Sequence, residues 1–272
     1  MPGPIPGPVP DLGRPGVPAY RTWQFRDRAS QFATVVPVLN EGDRFRVQLR
    51  AMRAVEHGMD LVVVDGGSTD GATDPEALRD AGVAALLVKD GPGRLSAQLR
   101  CAFDFCLAAG YSGVVTVDGN GKDGVGALPL FRDRLAQGFD FVQGSRFVRG
   151  GGHLNTPKVR LAAIRLVHAP VTSVAAGQRW TDTTNGFRAH SAALLRDPQV
   201  GVFRDVFDAY ELLAYLPIRA ARLGLRTGEV PVTRDYPGGT VPTKITSWWG
   251  HADLVWVLLR AALGGFDPPD GS

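Results

Sequence analysis

The chain has 272 residues, 44% of them hydrophobic and 21% charged, an ordinary balance for a globular protein with a continuous buried core. Thirty basic residues against 27 acidic ones leave a formal charge of +3 with no basic run, so electrostatics gives no ground for a nucleic-acid partner. Cys101 and Cys106 are turned to different sides of a predicted helix, so no bridge between them is expected and a reduced, cytoplasmic setting fits.

Residues 1–30 are expected to form an arm, because residues 1–19 are dominated by Pro and Gly; the folded domain is expected from Gln31 to Phe266, with 267–272 a polar tail. Strands are predicted over Ala33–Leu39, Asp60–Val64, Ala84–Val88, Gly113–Val117, Phe139–Gln143 and Thr227–Val232. Helices are predicted over 43–57, 74–81, 95–109, 125–137, 157–177, Phe203–Leu223 and the C-terminal segment Ser247–Phe266. Short apolar runs separated by helices imply strands covered on both faces, hence an α/β fold with a mostly parallel twisted sheet. Two halves, 31–150 and 151–266, are expected within the folded domain. Trp248–Phe266 is interrupted by His251, Asp253 and Arg260, so it is not expected to span a bilayer. Its Trp248, Trp249, Trp256, Leu259 and Leu263 fit one helical stripe, which faces either the core or, as the alternative, a membrane surface or partner.

Ligands of an open parallel sheet bind beyond the carboxyl ends of its strands. Three loops there carry acidic or amide residues: Asn40-Glu41, Asp65–Asp70 and Asp118–Asp123. Each alone also reads as a turn motif, since Asp and Asn side chains bond nearby amides. In the third, Asp118 and Asn120 are spaced to converge on one hard cation, Mg²⁺ or Mn²⁺, which would bridge a donor diphosphate.

From Val35 to Leu263 the sequence resembles the GT-A fold family-2 glycosyltransferases, in particular the dolichol-phosphate mannosyltransferase-like branch. The resemblance rests on seven short motifs in order. They are Pro37-Val38-Leu39-Asn40-Glu41, Asp65-Gly66-Gly67-Ser68-Thr69-Asp70-Gly71, Gly91-Pro92-Gly93-Arg94 and Asp118-Gly119-Asn120. Then follow Gly144-Ser145-Arg146-Phe147, Asp182-Thr183-Thr184-Asn185-Gly186-Phe187-Arg188, and Gly228-Glu229-Val230-Pro231-Val232 with Lys244 in the loop beyond. The resemblance implies a GT-A sheet, a nucleoside-diphosphate sugar as donor bound by the half 31–150, inverting in-line transfer, and a lipid-phosphate or small-molecule acceptor faced by the half 151–266.

The same resemblance implies that Pro37, Leu39, Asn40, Glu41, Asp65, Gly67, Ser68, Arg94, Asp118, Gly119, Asn120, Lys122, Arg146 and Lys244 line the donor site, with Asp118 and Asn120 as metal ligands. Two departures from the pattern stand out. Gly66 occupies a position usually held by Asp, and Lys122 falls where related enzymes place a further metal ligand. Either the Lys122 ammonium supplies part of the charge compensation and weakens metal dependence, or Lys122 is solvated and Asp123 completes the metal site. A phosphate acceptor needs no general base; a hydroxyl or amine does, and Asp182 and Glu211 are the candidates. Arg146, Arg188 and Lys244 are the cations expected to reach phosphates or the sugar, with Arg188 beside the reacting centre. Arg160, Arg165 and Arg222 are assigned to solvated helix faces. His168, His190 and His251 lack a second histidine at metal-ligand spacing, although His190 lies two residues after Arg188. The competing readings are a sugar-1-phosphate nucleotidyltransferase and a non-catalytic sugar-nucleotide-binding protein. A cytoplasmic protein, peripheral at the inner membrane face, is the expected setting.

Overall fold

The computed structural model describes residues 7, 9–11, 14–236 and 248–269. Its nine-stranded sheet is built from β1 (Val9–Asp11), β2 (Tyr20–Gln24), β3 (Phe32–Val38), β4 (Asp60–Asp65), β5 (Ala85–Lys89), β6 (Gly113–Thr116), β7 (Phe141–Ser145), β9 (Arg188–Ser191) and β10 (Thr227–Pro231). A short two-stranded ribbon joins β8 (Gly152–Leu154) to β11 (Thr233–Asp235). The order across the large sheet is β1-β2-β5-β4-β3-β6-β9-β7-β10. Strands β5, β4, β3 and β6 run parallel, so the loops after β3, β4 and β6 emerge along one edge. β9 runs antiparallel between β6 and β7 and leads into the short α7 (Ala192–Arg196).

Alternation along β3 explains the layers. Ala33 and Val35 join one apolar cluster while Phe32, Val36 and Val38 join the other, as a period of two demands. One face is covered by α3 (Leu95–Ala108), α8 (Glu211–Arg222) and α9 (Trp248–Ala262), with Phe103, Tyr215 and Ala261 in its cluster. The other is covered by α1 (Asp43–Arg53), α2 (Pro75–Asp80) and α4 (Leu128–Ala136), through Phe45, Leu78 and Phe131. Each such buried side chain contributes about 1.5–3 kcal/mol. Both cysteines are free and buried.

Three sequence expectations need correction. The ordered domain starts before Gln31: β2 pairs antiparallel with β5 and buries Tyr20, whose hydroxyl donates to Asp104. The helix expected over Phe203–Leu223 begins only at Glu211, because the preceding carbonyls are committed elsewhere. Asp208 O accepts from Arg94 N and Ala97 N, and Ala209 O from Ser96 N and Oγ, which caps the start of α3. Third, the exposed face of α9 carries Val255, Trp256 and Leu259, with Leu263 just beyond it, whereas Leu258 and Ala261 turn inward; the stripe through Trp256 is not core-facing.

The helix expected over 157–177 runs as α5 (Lys158–Ala163), a π-helical turn at Ile164–His168, and α6 (Ala169–Ala176). Lys158–Ala176 is long and apolar enough to cross a membrane by length and composition, with only 22% of its most apolar window buried. It nevertheless seats Ile164, Ala169, Thr172 and Ala176 against the domain, and α6 packs on α8 and α9.

Candidate functional site

The three strand-end loops meet. Asn40 holds a left-handed backbone (φ 51°); its N–H donates to Ser68 Oγ and its Oδ1 accepts from Thr69 N. Gly42 N donates to Asp70 at 2.7 Å, so the loops after β3 and β4 form one unit. Gln48 of α1 clamps the third: its Nε2 donates to Asp118 O at 2.8 Å and its Oε1 accepts from Gly121 N at 2.6 Å. Gly119 N bonds Pro37 O, and a β-carbon at Gly119 would press on that same carbonyl. Leu39 and Glu41 lie partly buried at the head of this cluster, Glu41 paired with Arg44 at 3.2 Å and close enough to favour the charged form of Lys122.

Asp65 shapes the second loop from within. Its carboxylate accepts from Gly67 N, Ser68 N, Ser68 Oγ and Thr73 Oγ1 and is nearly closed to solvent. What that loop presents outward is the backbone of Gly67, at φ 96° with open space around it. The unusual Gly66 also has a physical cause. Gln98 Nε2 reaches across to Val38 O (3.0 Å) and Val64 O (3.2 Å) and would lie 2.8 Å from any β-carbon at position 66.

Asp182 is not free to act as a base. It is fully buried, receives Arg146 Nε at 2.6 Å and Nη2 at 2.9 Å, and also accepts from Thr184. Burial opposes its charge, but the Arg146 fork outweighs that and holds the carboxyl below the usual range. Glu229, on β10, accepts from Thr181 N and Asp182 N and fixes the segment from behind; burial raises its own pKa. Arg146 keeps one donor in reserve: Nη1 is buried without a hydrogen-bond partner.

Arg188, expected to reach phosphates or the sugar, is equally committed to protein groups, although it lines one small cavity together with Asp118. Its Nε donates to Asn185 O, Nη2 to Thr183 O and Nη1 to Leu213 O, at 2.7–3.1 Å. The last bond answers a local defect. Pro217 lies inside α8 and has no N–H for the carbonyl four residues earlier, which is Leu213. Burial pulls the guanidinium down to about 10, against the pull of Asp118 and Asp182, so it stays charged at neutral pH. Glu211 Oε2 accepts from Ala209 N, in the segment just before its own helix, at 2.6 Å. Beside it, burial of the half-buried Tyr210, and then the charge of Asp118, raise the phenol's pKa against the pull of Arg94 and Arg160. Arg94 itself is exposed at the start of α3. Lys244 lies outside the described residues.

The metal site departs most from expectation. Asn120 Oδ1 accepts from Lys122 N (3.2 Å) and its Nδ2 faces Asp118 Oδ2 (3.4 Å). Asp123 is buried and holds Arg234 through both oxygens, at 2.7 and 2.6 Å, while Arg234 Nη2 reaches Asp118 Oδ2 at 3.3 Å. Among the described residues no group of three acidic, His or Cys side chains is placed to hold a metal. A hard divalent cation wants about six oxygens; here a guanidinium already occupies the two carboxylates, so the residues present do not fit one. Gly186 matters beside this pair, since a β-carbon there would overlap Asp118 Oδ1.

Arg234 and Arg160 are the residues sequence reasoning missed. Arg160 was expected on a solvated face but turns inward over Tyr236 at 5.5 Å, with Lys122 at 5.4 Å and Arg234 at 5.8 Å from the same ring. Burial, Arg234 and Arg160 together lower the pKa of Lys122. The one available signal was position: Arg234 follows two residues after the Glu-Val-Pro-Val run.

The chain is 31% identical over 246 residues to the undecaprenyl-phosphate mannosyltransferase of Micrococcus luteus, covering 85% of this chain and 98% of that protein. The chain belongs to the family-2 glycosyltransferases. It is 27% identical over 202 residues to the polyprenol monophosphomannose synthase of Mycolicibacterium smegmatis, covering 73% of this chain and 75% of that one. No family model matches the chain. Among solved structures, glucosyl-3-phosphoglycerate synthase of Mycobacterium tuberculosis superposes with a TM-score of 0.59 at 17% identity, over 89% of this chain and 83% of that one. The same synthase with Mn²⁺, UDP-glucose and phosphoglyceric acid gives 0.58 at 18% identity, over 89% and 82% of the two chains. The fold is therefore the GT-A fold. The protein is an enzyme, a glycosyltransferase that moves a sugar from a nucleoside-diphosphate sugar to an acceptor, and the nucleotidyltransferase and non-catalytic readings fall away.

Proposed function

We propose that this glycosyltransferase moves a hexosyl group, mannose being the first to test, from a nucleoside-diphosphate sugar to a polyprenyl phosphate at a membrane surface. The observation that carries this reading is the position of Arg160. It lies on the helical segment 158–176, whose outer face is apolar and open, with Val159 83% and Val174 84% exposed, yet its own guanidinium turns inward over the Tyr236 ring. A lipid phosphate arriving from that face would meet a cation, as an amphipathic surface helix with basic residues requires. Exposed Leu154 and Leu166 extend the same surface, and a cleft of about 440 Å³ beside it is rimmed by Arg165 and Arg179.

In this reading the loops after β3 and β4 hold the nucleoside, with the Gly67 backbone as the close-approach point. Asp118 orients the sugar end, and Arg146 Nη1 and Arg160 receive phosphate oxygens. The acceptor phosphate oxygen attacks the anomeric carbon in line, the carbon–oxygen bond to the nucleoside diphosphate breaks, and configuration inverts. The nucleophile is already anionic, so neither the Asp182 carboxylate nor Glu211 has to take a proton.

The test is incubation with GDP-mannose, UDP-glucose and dTDP-glucose plus undecaprenyl phosphate in anionic vesicles, with mass spectrometry of the lipid fraction. A hexosyl-phospholipid from one donor is the expected product. Transfer only to 3-phosphoglycerate in the aqueous phase would overturn the acceptor assignment.

A further inference from the structure

A donor diphosphate brings two to three negative charges into the cleft, and something fixed must meet them. The relevant loop does not offer a vacant carboxylate pair for a divalent ion, because Asp123 and Asp118 both already face Arg234. The charge count is nevertheless that of a metal site. Two carboxylates with one divalent cation carry no net charge; Asp118 and Asp123 with the Arg234 guanidinium and the Lys122 ammonium carry none either. Arg160 then adds a positive charge next to them, and all three cations face one Tyr236 ring.

The backbone fixes this cation as firmly as a ligand set would. Asp123 and Arg234 form a β-bridge, Asp235 N donates to Lys122 O, and Gly124 N donates to Thr233 O. The strand that carries Arg234 is thereby laced to the loop that carries Asp118, Lys122 and Asp123. Arg234 is 7% exposed and Asp123 6%, whereas the Asp118 side chain retains 23%. The inner carboxylate is thus a permanent holder and the outer one sits at the cleft. Burial works against the Arg234 charge, but Asp123 and Asp118 outweigh it and raise its pKa.

We propose that Arg234, clamped by Asp123 and seconded by Lys122, is a built-in cation that takes the place of the divalent metal, so that a nucleoside diphosphate binds beside Asp118 without one. The proposal rests on the nucleotide-sugar reading above, and its test separates the two. Calorimetric titration of the full chain with GDP, UDP and dTDP is run in EDTA and again in MnCl₂. The best-binding nucleotide is expected to keep its Kd within about threefold between the two buffers. Arg234→Met is expected to weaken binding at least about tenfold in EDTA, with Mn²⁺ restoring part of it once Asp118 and Asp123 are released. Should that variant fail to fold, Asp123→Asn with Arg234→Met removes both buried charges together and is expected to show the same loss in EDTA.

Electron paramagnetic resonance of Mn²⁺ added to the nucleotide-saturated wild-type protein gives a readout independent of any variant. Only the binding due to free nucleotide is expected. Binding that vanishes in EDTA and returns with Mn²⁺, a protein-bound Mn²⁺ signal, or unchanged affinity in the folded Arg234 variants overturns the proposal while leaving the donor reading standing. If none of the three nucleotides binds with or without Mn²⁺, the donor reading falls and this proposal falls with it.

Discussion

Replacing Asp182 by Asn distinguishes a structural carboxylate from a catalytic one. The side chain keeps its size, but one oxygen becomes an NH₂ facing the Arg146 donors now at 2.6 and 2.9 Å, and Arg146 is left as an uncompensated buried cation. Breaking one partner out of a buried pair of this kind costs about 3–5 kcal/mol. In a domain of this size each kcal/mol moves the midpoint by about 2–4 °C, so a fall of roughly 6–20 °C is expected. Urea unfolding followed by tryptophan fluorescence, with the slope held common to both proteins, measures the loss directly. Asp182→Leu with Arg146→Met should recover much of that stability, because an apolar pair of similar volume needs no desolvation. Its activity should nevertheless stay low, since Arg146 Nη1 is gone. If Asp182→Asn folds with less than about 1 kcal/mol of loss yet turns over at least a thousandfold more slowly, Asp182 is a base and the assignment here is wrong.

Arg188→Met strips donors from three backbone carbonyls, including the Leu213 oxygen that Pro217 leaves without a helical partner. A loss of at least about 3 kcal/mol is expected in the same urea assay, with Arg188→Lys recovering only a fraction because one ammonium cannot serve all three. Three histidines, His57, His168 and His190, set the acid side of the stability profile, and burial lowers the pKa of each, His57 included. Burial, helped by Arg188, lowers His168 to about 4 and His190 to about 3. The unfolded chain therefore binds more protons than the folded one between the free-imidazole value and these, so stability is full above about pH 6.5 and falls as pH drops toward 4, by up to about 1.4 kcal/mol per unit for each histidine. His190→Phe, set between Phe103 and Phe141, should flatten that slope over the same window.

The features readable in advance were those with local signals. Strand-end runs such as Asp65-Gly-Gly-Ser announce themselves because Asp, Gly and Ser build a turn from neighbours in sequence, and Asp65 takes Gly67 N, Ser68 N and Ser68 Oγ all within three residues. The motif order then located the cleft. What stayed hidden depends on partners distant in the chain. Arg234 meets Asp123 across 111 residues and Arg146 meets Asp182 across 36, and nothing near either arginine marks it as buried. Tyr20–Gln24 has strand-forming aromatic and β-branched residues, but the Pro-Gly run before it made the whole segment read as an arm. Residues 203–210 continue an apolar rhythm suited to a helix; only the start of α3, more than a hundred residues earlier, explains why their carbonyls are needed elsewhere.

These long-range pairs follow from one physical requirement. A metal-bearing site can hold two bare carboxylates in water and receive its cation with the donor, but a guanidinium is always present and must be neutralised while the cleft is empty. Burying Arg234 alone would cost several kcal/mol, so a fully enclosed partner is required, and Asp123 is that partner. The second contact, to Asp118 at 3.3 Å, is longer and partly open to solvent, so it is the one a diphosphate can exchange at small cost. Arginine suits this division of labour where lysine does not: its rigid fork keeps one nitrogen on the inner carboxylate while the other turns to an incoming oxyanion. Lysine, a single point charge, would have to let go of one to take the other.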